Sequence, residues 1–529
     1  MEIISNPRRY NVNGVLSRVD GIPTDNCKNL IHHQVGTQVK LNWEDPGDTI
    51  VEGQRLCSWA GTRIVRKANS FPMSPLDGYL VVDNKVLNKY QYEPLVDTVP
   101  SSSVEYFYRA FPYTVNGVFN LDTKNEFGAI DYAFILDNTE SNPDARITYK
   151  PGSDCELYKK AYMDFTTGLF NYGDWKNPFF MPKPCMLTND GNGQDYVDYY
   201  LNPYNYKEKL DGSASDATNT GYNGNVMVEF PQVWMKYEIG DSPNLYVISI
   251  SNKQKDSNYH CYTHYNKDGD LIPYIYRGAY DGSYISNRTR CISGQAAGNS
   301  QNAQTEITWA LANGAYYYTD VLCDRLMINN LLMLISCSTD SQGTFGNGNY
   351  NSGSSASDLI NSGLADDKGL FWGTTANRQP VKVFGIENWW ANVWLRTAGY
   401  INASGQQLIK LTQNNNDGST ATNYNLTGEG YIPLTGYNIG SNSRAYIKTE
   451  ALIPPYGLFP YGTASGGSSS TYYCDGLWSN TTQTNYAKFG GSTSDGLING
   501  CFCCTLTDSV SNSNWNDGSS LTCKPKLSA

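Results

Sequence analysis

The chain has 529 residues and a formal net charge of −11, with 39 Lys and Arg against 50 Asp and Glu. At roughly 100–200 residues per domain, that length holds about three domains, and a core of that size needs no disulfide staples. Aromatic residues make up 13% and charged residues 17%, a balance that excludes intrinsic disorder, and so few cations argue against a phosphate-binding groove, so nucleic acid is not expected as a partner. The opening Met1 to Arg9 lacks the basic-then-apolar pattern of a signal peptide. The best apolar run, Leu326 to Ser336, is interrupted by Asn329 and Asn330 and falls short of the ~18 residues of a membrane span. A soluble protein or part of a soluble assembly is expected, with no membrane insertion.

Residues 1–35 read as an amino-terminal arm or docking segment. From 36 to 114, strand signals dominate. Thr37 to Trp43 alternates, with Val39, Leu41 and Trp43 on one face, and the turn Glu44 to Asp48 follows. Arg63 to Lys67, Tyr79 to Val82 and Val104 to Tyr113 are further strands. Short strands at this spacing without helical periodicity predict a β-sandwich over 36–126, with Trp43 as a core aromatic and residues 115–126 as a linker.

A second region opens with strands at Phe127 to Asp137 and Ala145 to Tyr149. Phe170 to Met186 reads as packed loop, and residues 188–224 as a polar surface excursion with short elements inside. Strands are predicted at Asn225 to Pro231, Val233 to Ile239 and Leu245 to Ile250. The clearest helix lies within 318–336, where Val321, Leu322, Leu326, Met327, Leu331, Leu332 and Ile335 recur at spacings near three and four, with Thr319 or Asp320 as its cap. The Gly-, Ser- and Asn-rich stretch 338–363 is expected to be an exposed loop.

The chemistry-bearing residues form no recognisable catalytic set. Thirteen Cys are present, an odd number, and Cys501-Phe502-Cys503-Cys504 lacks the paired spacing of a zinc site. Buried thiols in a reducing compartment, disulfides formed after release from a cell, and metal ligation remain the three readings. His260 and His264 would share a face only on a helix, and their flanks look like strand and turn. Asn266 to Asp270 lacks the closing Glu of a calcium loop. Asp475 and Glu387 sit in no glycosidase-like pair, and no phosphate-binding Gly-x-x-x-x-Gly-Lys loop occurs. No catalytic residue, metal or cofactor is expected.

Residues 370–523 carry the strongest local pattern. Phe384 to Arg396 packs Trp389, Trp390 and Trp394 into six residues, and Tyr472-Tyr473-Cys474-Asp475-Gly476-Leu477-Trp478, Tyr486 to Ser492, Cys501 to Leu506 and Trp515 follow. The segment 384–396 resembles the Gly-x-x-Glu/Asn-x-x-Gly-Asn-Val-Trp-Glu-Trp motif of the C-type-lectin-like fold in formylglycine-generating enzymes and phage tropism determinants. Ala391 stands where that family usually has Gly, and Leu395 where it has Glu. Tyr486 to Ser492 resembles the family's Arg-Gly-Gly-Ser-Trp segment. The early Trp43 strand and the Val104 to Tyr113 strand resemble fibronectin type III modules.

Together these features resemble structural proteins of bacteriophages that join a fibronectin-like module to a lectin-like region. The resemblance implies a mainly β fold with a minor α component. A β-sandwich would be followed by a large C-type-lectin-like α+β domain over 127–529 with long loop insertions. It also implies a virion protein: a tail fibre, spike or baseplate-attached subunit that adheres to a host cell-surface receptor. A purely architectural role as a head fibre, tail-tip or collar ring protein is the alternative, and a cell-wall or capsule glycan hydrolase is third. A homo-oligomer, a trimer in the first instance, and other tail or baseplate proteins are the implied partners. The catalytic Cys pair of formylglycine-generating enzymes has no matching framework among Cys501, Cys503 and Cys504.

Within this pattern Gly385, Glu387, Asn388, Asn392, Trp394, Gly490, Gly491 and Trp515 are the structural motif residues, alongside Trp43 in the amino-terminal module. Trp389, Trp390, Tyr472, Tyr473, Asp475 and Trp478 are the candidate ligand or receptor contacts. Flat aromatics beside Asn and Asp suit the apolar faces and hydroxyls of sugars, and the same residues suit a packed core. At helical spacing Trp390 and Trp394 would share a face.

Overall fold

The computed structural model describes residues 23–411 and 430–527, apart from positions 36, 52–53, 103, 105, 123–124, 128–129, 192 and 463, together with the short strands Asn11–Val12 and Val15–Leu16. Most of the expected arm over 1–35 therefore lies outside the described residues. The fold is mainly β, with 39% of residues in strands and 8% in helices arranged as several sheets. The chain divides into two compact units, one of Met1–Ile130 with Asn177–Phe179 and one of Asp131–Lys176 with Phe180–Ala529.

In the first unit, the strands Lys28–Val35, Gln38–Glu44 and Leu95–Thr98 form one sheet. Glu126–Phe127, Tyr106–Thr114, Trp59–Ala68 and Tyr79–Asn84 form another, in that order. The period-two pattern of Gln38–Glu44 turns Val39, Leu41 and Trp43 inward, where they join Ile64, Tyr108, Ala110 and Phe127 in one core. Trp43 satisfies its indole N–H on Asp45 Oδ1 at 2.8 Å, and Thr62 donates to the same oxygen at 2.6 Å. Residues 115–126 are not a free linker. Asn120 and Asn125 are buried, and Asn120 donates to Thr24 O while Asn125 Oδ1 accepts from Cys27 N.

The second unit is built on three larger sheets. A four-stranded sheet runs Ile147–Tyr149, Asp131–Asp137, Leu245–Ser251, Trp234–Ile239. A seven-stranded sheet runs Asn205–Lys209, Asp195–Asn202, Lys183–Asn189, Gly224–Pro231, Tyr274–Gly278, Thr522–Cys523, Tyr317–Tyr318. Two expectations change here. Residues 183–209 are three paired strands of this sheet rather than loop and surface excursion. In addition, the carboxy-terminal strand Thr522–Cys523 is clamped between two others.

The nine-stranded sheet is centred on Trp394–Ala403, which pairs with Gln406–Ile409, Thr484–Phe489, Asp320–Val321 and Asp517–Gly518. Helices lie on both of its faces. Tyr486 packs with Ala303 and Ile307 of α1 (Ala303–Leu311). Phe489, three residues on and therefore on the opposite face, lines a small cavity with Leu322, Leu326 and Met333 of α2 (Leu322–Ser336).

Helix α2 starts after Val321 without a side-chain cap. Asp320, expected to cap it, is a strand residue whose carboxylate pairs with Arg277 at 2.6 Å and Arg325 at 2.7 Å. The helix is buried almost all round, so its polar residues need internal partners. Asn329 donates to Cys501 O at 2.7 Å and Asn330 to the Tyr237 hydroxyl at 2.9 Å. Residues 338–349, expected to be exposed, are mostly buried apart from Gly343, and continuous exposure begins only after Tyr350.

Candidate functional site

Before Trp394 the aromatic motif forms no helix, and its one strand there is the two-residue Ile386–Glu387, paired with Lys382–Val383. Phe384, Gly385, Asn388, Ala391 and Asn392 all hold positive φ, at 48°, 80°, 56°, 69° and 42°, so the chain winds through left-handed turns and the helical spacing of Trp390 and Trp394 does not apply. Gly490 lies flat against this loop, and Gly491 against Asn499. A Cβ on Gly490 would meet Trp389 O at 3.1 Å, and one on Gly491 would meet Asn499 Oδ1 at 1.8 Å.

Four of the six candidate ligand contacts are core residues. Trp389 is fully buried, donates its indole N–H to Asn329 Oδ1 at 2.9 Å and has the Arg325 guanidinium 3.8 Å over its ring. Trp390 is also fully buried and donates to Gly346 O at 3.0 Å. Tyr473 is enclosed beneath Arg146. Asp475 accepts from Phe502 N at 2.8 Å, and burial pushes its carboxyl well up from the ordinary range. A stacking platform needs an open ring face, and none of these side chains offers one. Tyr472 and Trp478 stay partly exposed. Trp478 meets Trp394 edge to face at 5.4 Å, and Tyr472 sits between Arg146 and Lys448. Trp515 is half-buried.

Glu387 and Asp475 do not share a space in which a sugar could sit. Glu387 holds a different loop, accepting from Gly363 N at 2.9 Å and Ala365 N at 2.8 Å, and burial pushes its carboxyl up to about 7. Among the described residues, no group of three His, Cys, Asp or Glu is placed to hold a metal ion. All thirteen Cys are buried and unbridged. Asn266 braces a turn, its Oδ1 accepting from Asp268 N and Asp270 N.

What the motif does position is a cluster of polar loops. Asn392 is the hub. Its Nδ2 donates to the buried Asp281 at 2.7 Å, as Asn388 does at 3.0 Å. Its Oδ1 accepts from Asn349 Nδ2 at 2.9 Å and Ile360 N at 3.0 Å, and its backbone O accepts from Thr493 N. These bonds anchor both ends of 349–360 and the start of 493–497. Outward from them, the loops bind one another. Gly496 N donates to Tyr350 O, Arg444 Nη2 to Asp495 O, and Arg378 Nη2 to Ser352 O and Asp358 Oδ1. The result is a rigid base carrying exposed Asn351, Ser354, Ser355, Arg378, Arg444 and Leu497.

No family model matches the chain, and the curated proteins searched contain no sequence match to it. The loop cluster escaped the sequence reading because its bonds join segments far apart in the chain. The only local signal was the Gly, Ser and Asn content of 338–363.

Proposed function

We propose that the chain is a non-enzymatic bacteriophage virion protein whose second unit, a C-type-lectin-like head, adheres to a host cell-surface glycan or protein. The first unit, a fibronectin type III-like module, joins it to the particle. The observation that carries the reading is the Asn392 pedestal: the motif aromatics are spent on a rigid core, and that core fixes a cluster of exposed polar loops. Loops held on a rigid scaffold suit recognition. Contact therefore passes from Trp389 and Trp390 to Asn351, Ser354, Arg378, Arg444 and Leu497, with Trp478 and Tyr472 as the remaining aromatic candidates.

The architectural alternative also has a specific observation behind it. Met73, Leu76, Tyr79 and Leu80, at and beside the edge strand Tyr79–Asn84 of the first unit, are exposed, Leu76 at 84%, and neighbouring tail or baseplate subunits would cover them. A homo-oligomer, trimeric by resemblance, belongs to either role.

The test uses the full chain on host cells and on a glycan array. Replacing Arg378, Arg444 and Asn351 together by Ala should abolish binding while lowering the melting temperature only slightly, because the exposed loop contacts of Arg378 and Arg444 add at most about 1 kcal/mol each. Binding that survives the triple replacement sinks the recognition surface, and release of sugar products sinks the non-enzymatic reading.

A further inference from the structure

The outer face of the nine-stranded sheet buries one lysine between two carboxylates. Lys488, in Thr484–Phe489, has a side chain only 4% exposed, with Nζ 2.5 Å from Asp517 Oδ1 and 2.6 Å from Asp508 Oδ2. Asp517 is fully enclosed and Asp508 is partly open to solvent. The far oxygen of Asp517, Oδ2, accepts from Asn512 Nδ2 at 2.9 Å, with Arg396 Nη2 at 3.9 Å. Trp394 and α1 close the site over the sheet.

We propose that Lys488 and Asp517 condense spontaneously into an isopeptide bond, with Asp508 as the proton relay. Each part of the arrangement has a task in amide formation. The amine lies against the carboxyl group, so the encounter needs no diffusion. Asn512 and Arg396 face the oxygen on which negative charge develops when nitrogen adds to Cγ. Asp508 takes a proton from the Lys488 ammonium to free the nitrogen lone pair. Nζ then bonds to Cγ, the Cγ–Oδ1 bond breaks, and Oδ1 leaves as water carrying the two protons the ammonium gave up, one of them delivered through Asp508. Oδ2 remains as the amide oxygen, and Asp508 ends as the carboxylate it began as. An ammonium and a carboxylate become a neutral amide and one water, with no oxidant, reductant or further reactant.

Burial favours the products, because it replaces two enclosed charges by an uncharged group. It also draws Lys488 toward the neutral amine, but the charges of Asp517 and Asp508 outweigh it and hold the ammonium above the ordinary lysine range. The relay is therefore required. The other buried lysines lack this set. Lys524 meets Asp324 at 3.3 Å, with no second carboxylate in ion-pair range among the described residues, and Lys382 donates to a backbone oxygen, Ala365 O. The bond would join Thr484–Phe489 to Asp517–Gly518 and close the intervening chain into a covalent loop, restricting the unfolded state as a disulfide does.

Intact-mass spectrometry of the full chain under reducing, denaturing conditions, followed by tryptic peptide mapping, decides the matter. The wild-type mass should fall short of the sequence by one water. Trypsin should fail to cut after Lys488, and the Lys488 and Asp517 peptides should be recovered as a joined pair. Lys488→Arg should restore the full mass, and Asp508→Asn should leave most of the protein unjoined over the same period. A wild-type chain of full mass with Lys488 cleaved normally overturns the proposal, as does a water loss that maps elsewhere. Complete joining in Asp508→Asn overturns the relay.

Discussion

Trp389 donates its indole N–H to Asn329 Oδ1 at 2.9 Å, and this bond ties the motif loop to helix α2. Asn329 in turn donates to Cys501 O, so one amide joins three segments that are distant in sequence. Trp389→Phe keeps an aromatic ring but removes the donor and leaves a buried carbonyl unmatched. The expected cost is about 2–4 kcal/mol, seen as a lower urea midpoint at unchanged slope. Cell binding measured well below the melting temperature should be unaffected. A binding defect in a folded Trp389→Phe protein would return this ring to the recognition surface.

Ala391 and Gly491 both occupy left-handed backbone, at φ 69° and 82° respectively, yet they should respond differently to exchange. Ala391→Gly relieves roughly 1–2 kcal/mol of left-handed strain, against about 0.8 kcal/mol for the buried methyl and about 0.5–1 kcal/mol of backbone entropy. The variant should unfold within about 1 kcal/mol of the wild type, by the same sum. Gly491→Ala adds a Cβ at 1.8 Å from Asn499 Oδ1 on top of the strain. Its loss should exceed about 2 kcal/mol. Equal thermal shifts for the two variants would show that the loop relaxes freely and is not a rigid base.

The strand Gln38–Glu44 was legible because only one of its faces enters the apolar core, while the other carries Gln38, Lys40, Asn42 and Glu44, which prints the hydrophobic set at every second residue. Helix α2 was legible from its apolar spacing, but its start was not. Asp320 has the chemistry of a cap, and its carboxylate is taken by Arg277 and Arg325, partners no local pattern reveals. Asp195–Asn202 was missed because six of its eight residues are half-exposed or exposed, on both faces, so no period-two signal survives. The aromatic motif announced itself by composition, but composition cannot say which way a ring points. The hydrogen bonds of Asn388 and Asn392 to Asp281 decide that, from more than a hundred residues away.

Asp281 gives a pH dependence of definite sign. Burial pushes its carboxyl up to about 7, against the opposing pull of Asn392, Asn388 and the Arg325 charge. The folded state therefore holds a proton that the unfolded chain releases near pH ~4. The resulting stabilisation is complete below that pH, declines as pH rises, and is gone above about 7. Glu387 and Glu450, also pushed up to about 7 by burial, act in the same direction. Asp281→Asn should reduce the fall in unfolding free energy between about pH 5 and pH 8 by about 2–3 kcal/mol, measured by urea titration at each pH. An unchanged slope would mean that Asp281 is ionised throughout.

The thirteen thiols offer a direct test of the core. All are buried and unbridged, and burial drives Cys185, Cys501, Cys503 and Cys523 well above the ordinary thiol range, where the reactive thiolate is scarce. Iodoacetamide at neutral pH should leave the native protein unmodified over the time in which it labels free cysteine. In denaturant without reductant, the same reagent should add at all thirteen positions, counted by intact mass. A smaller number in denaturant would reveal disulfides.

The charges around Asp320 should show strong non-additivity. Its two oxygens pair with Arg277 and Arg325, all three side chains are essentially unexposed, and Thr397 donates to Oδ2 at 2.6 Å. Burial opposes the ionised form, but the two guanidinium charges outweigh it and hold the carboxyl below its ordinary range. Asp320→Ala alone strands Arg325 in the interior and leaves Arg277 only the longer pairing with Asp324 at 3.4 Å, a loss of about 3–5 kcal/mol. Replacing Arg277 and Arg325 by Met together with Asp320→Leu removes these three charges and restores apolar packing, with Asp324 losing Arg277 but keeping its partner Lys524. The triple variant should therefore be more stable than the single one, read as a higher urea midpoint. If the triple variant is the weaker protein, the two arginines act mainly through other contacts, such as that of Arg325 with the Trp389 ring and carbonyl.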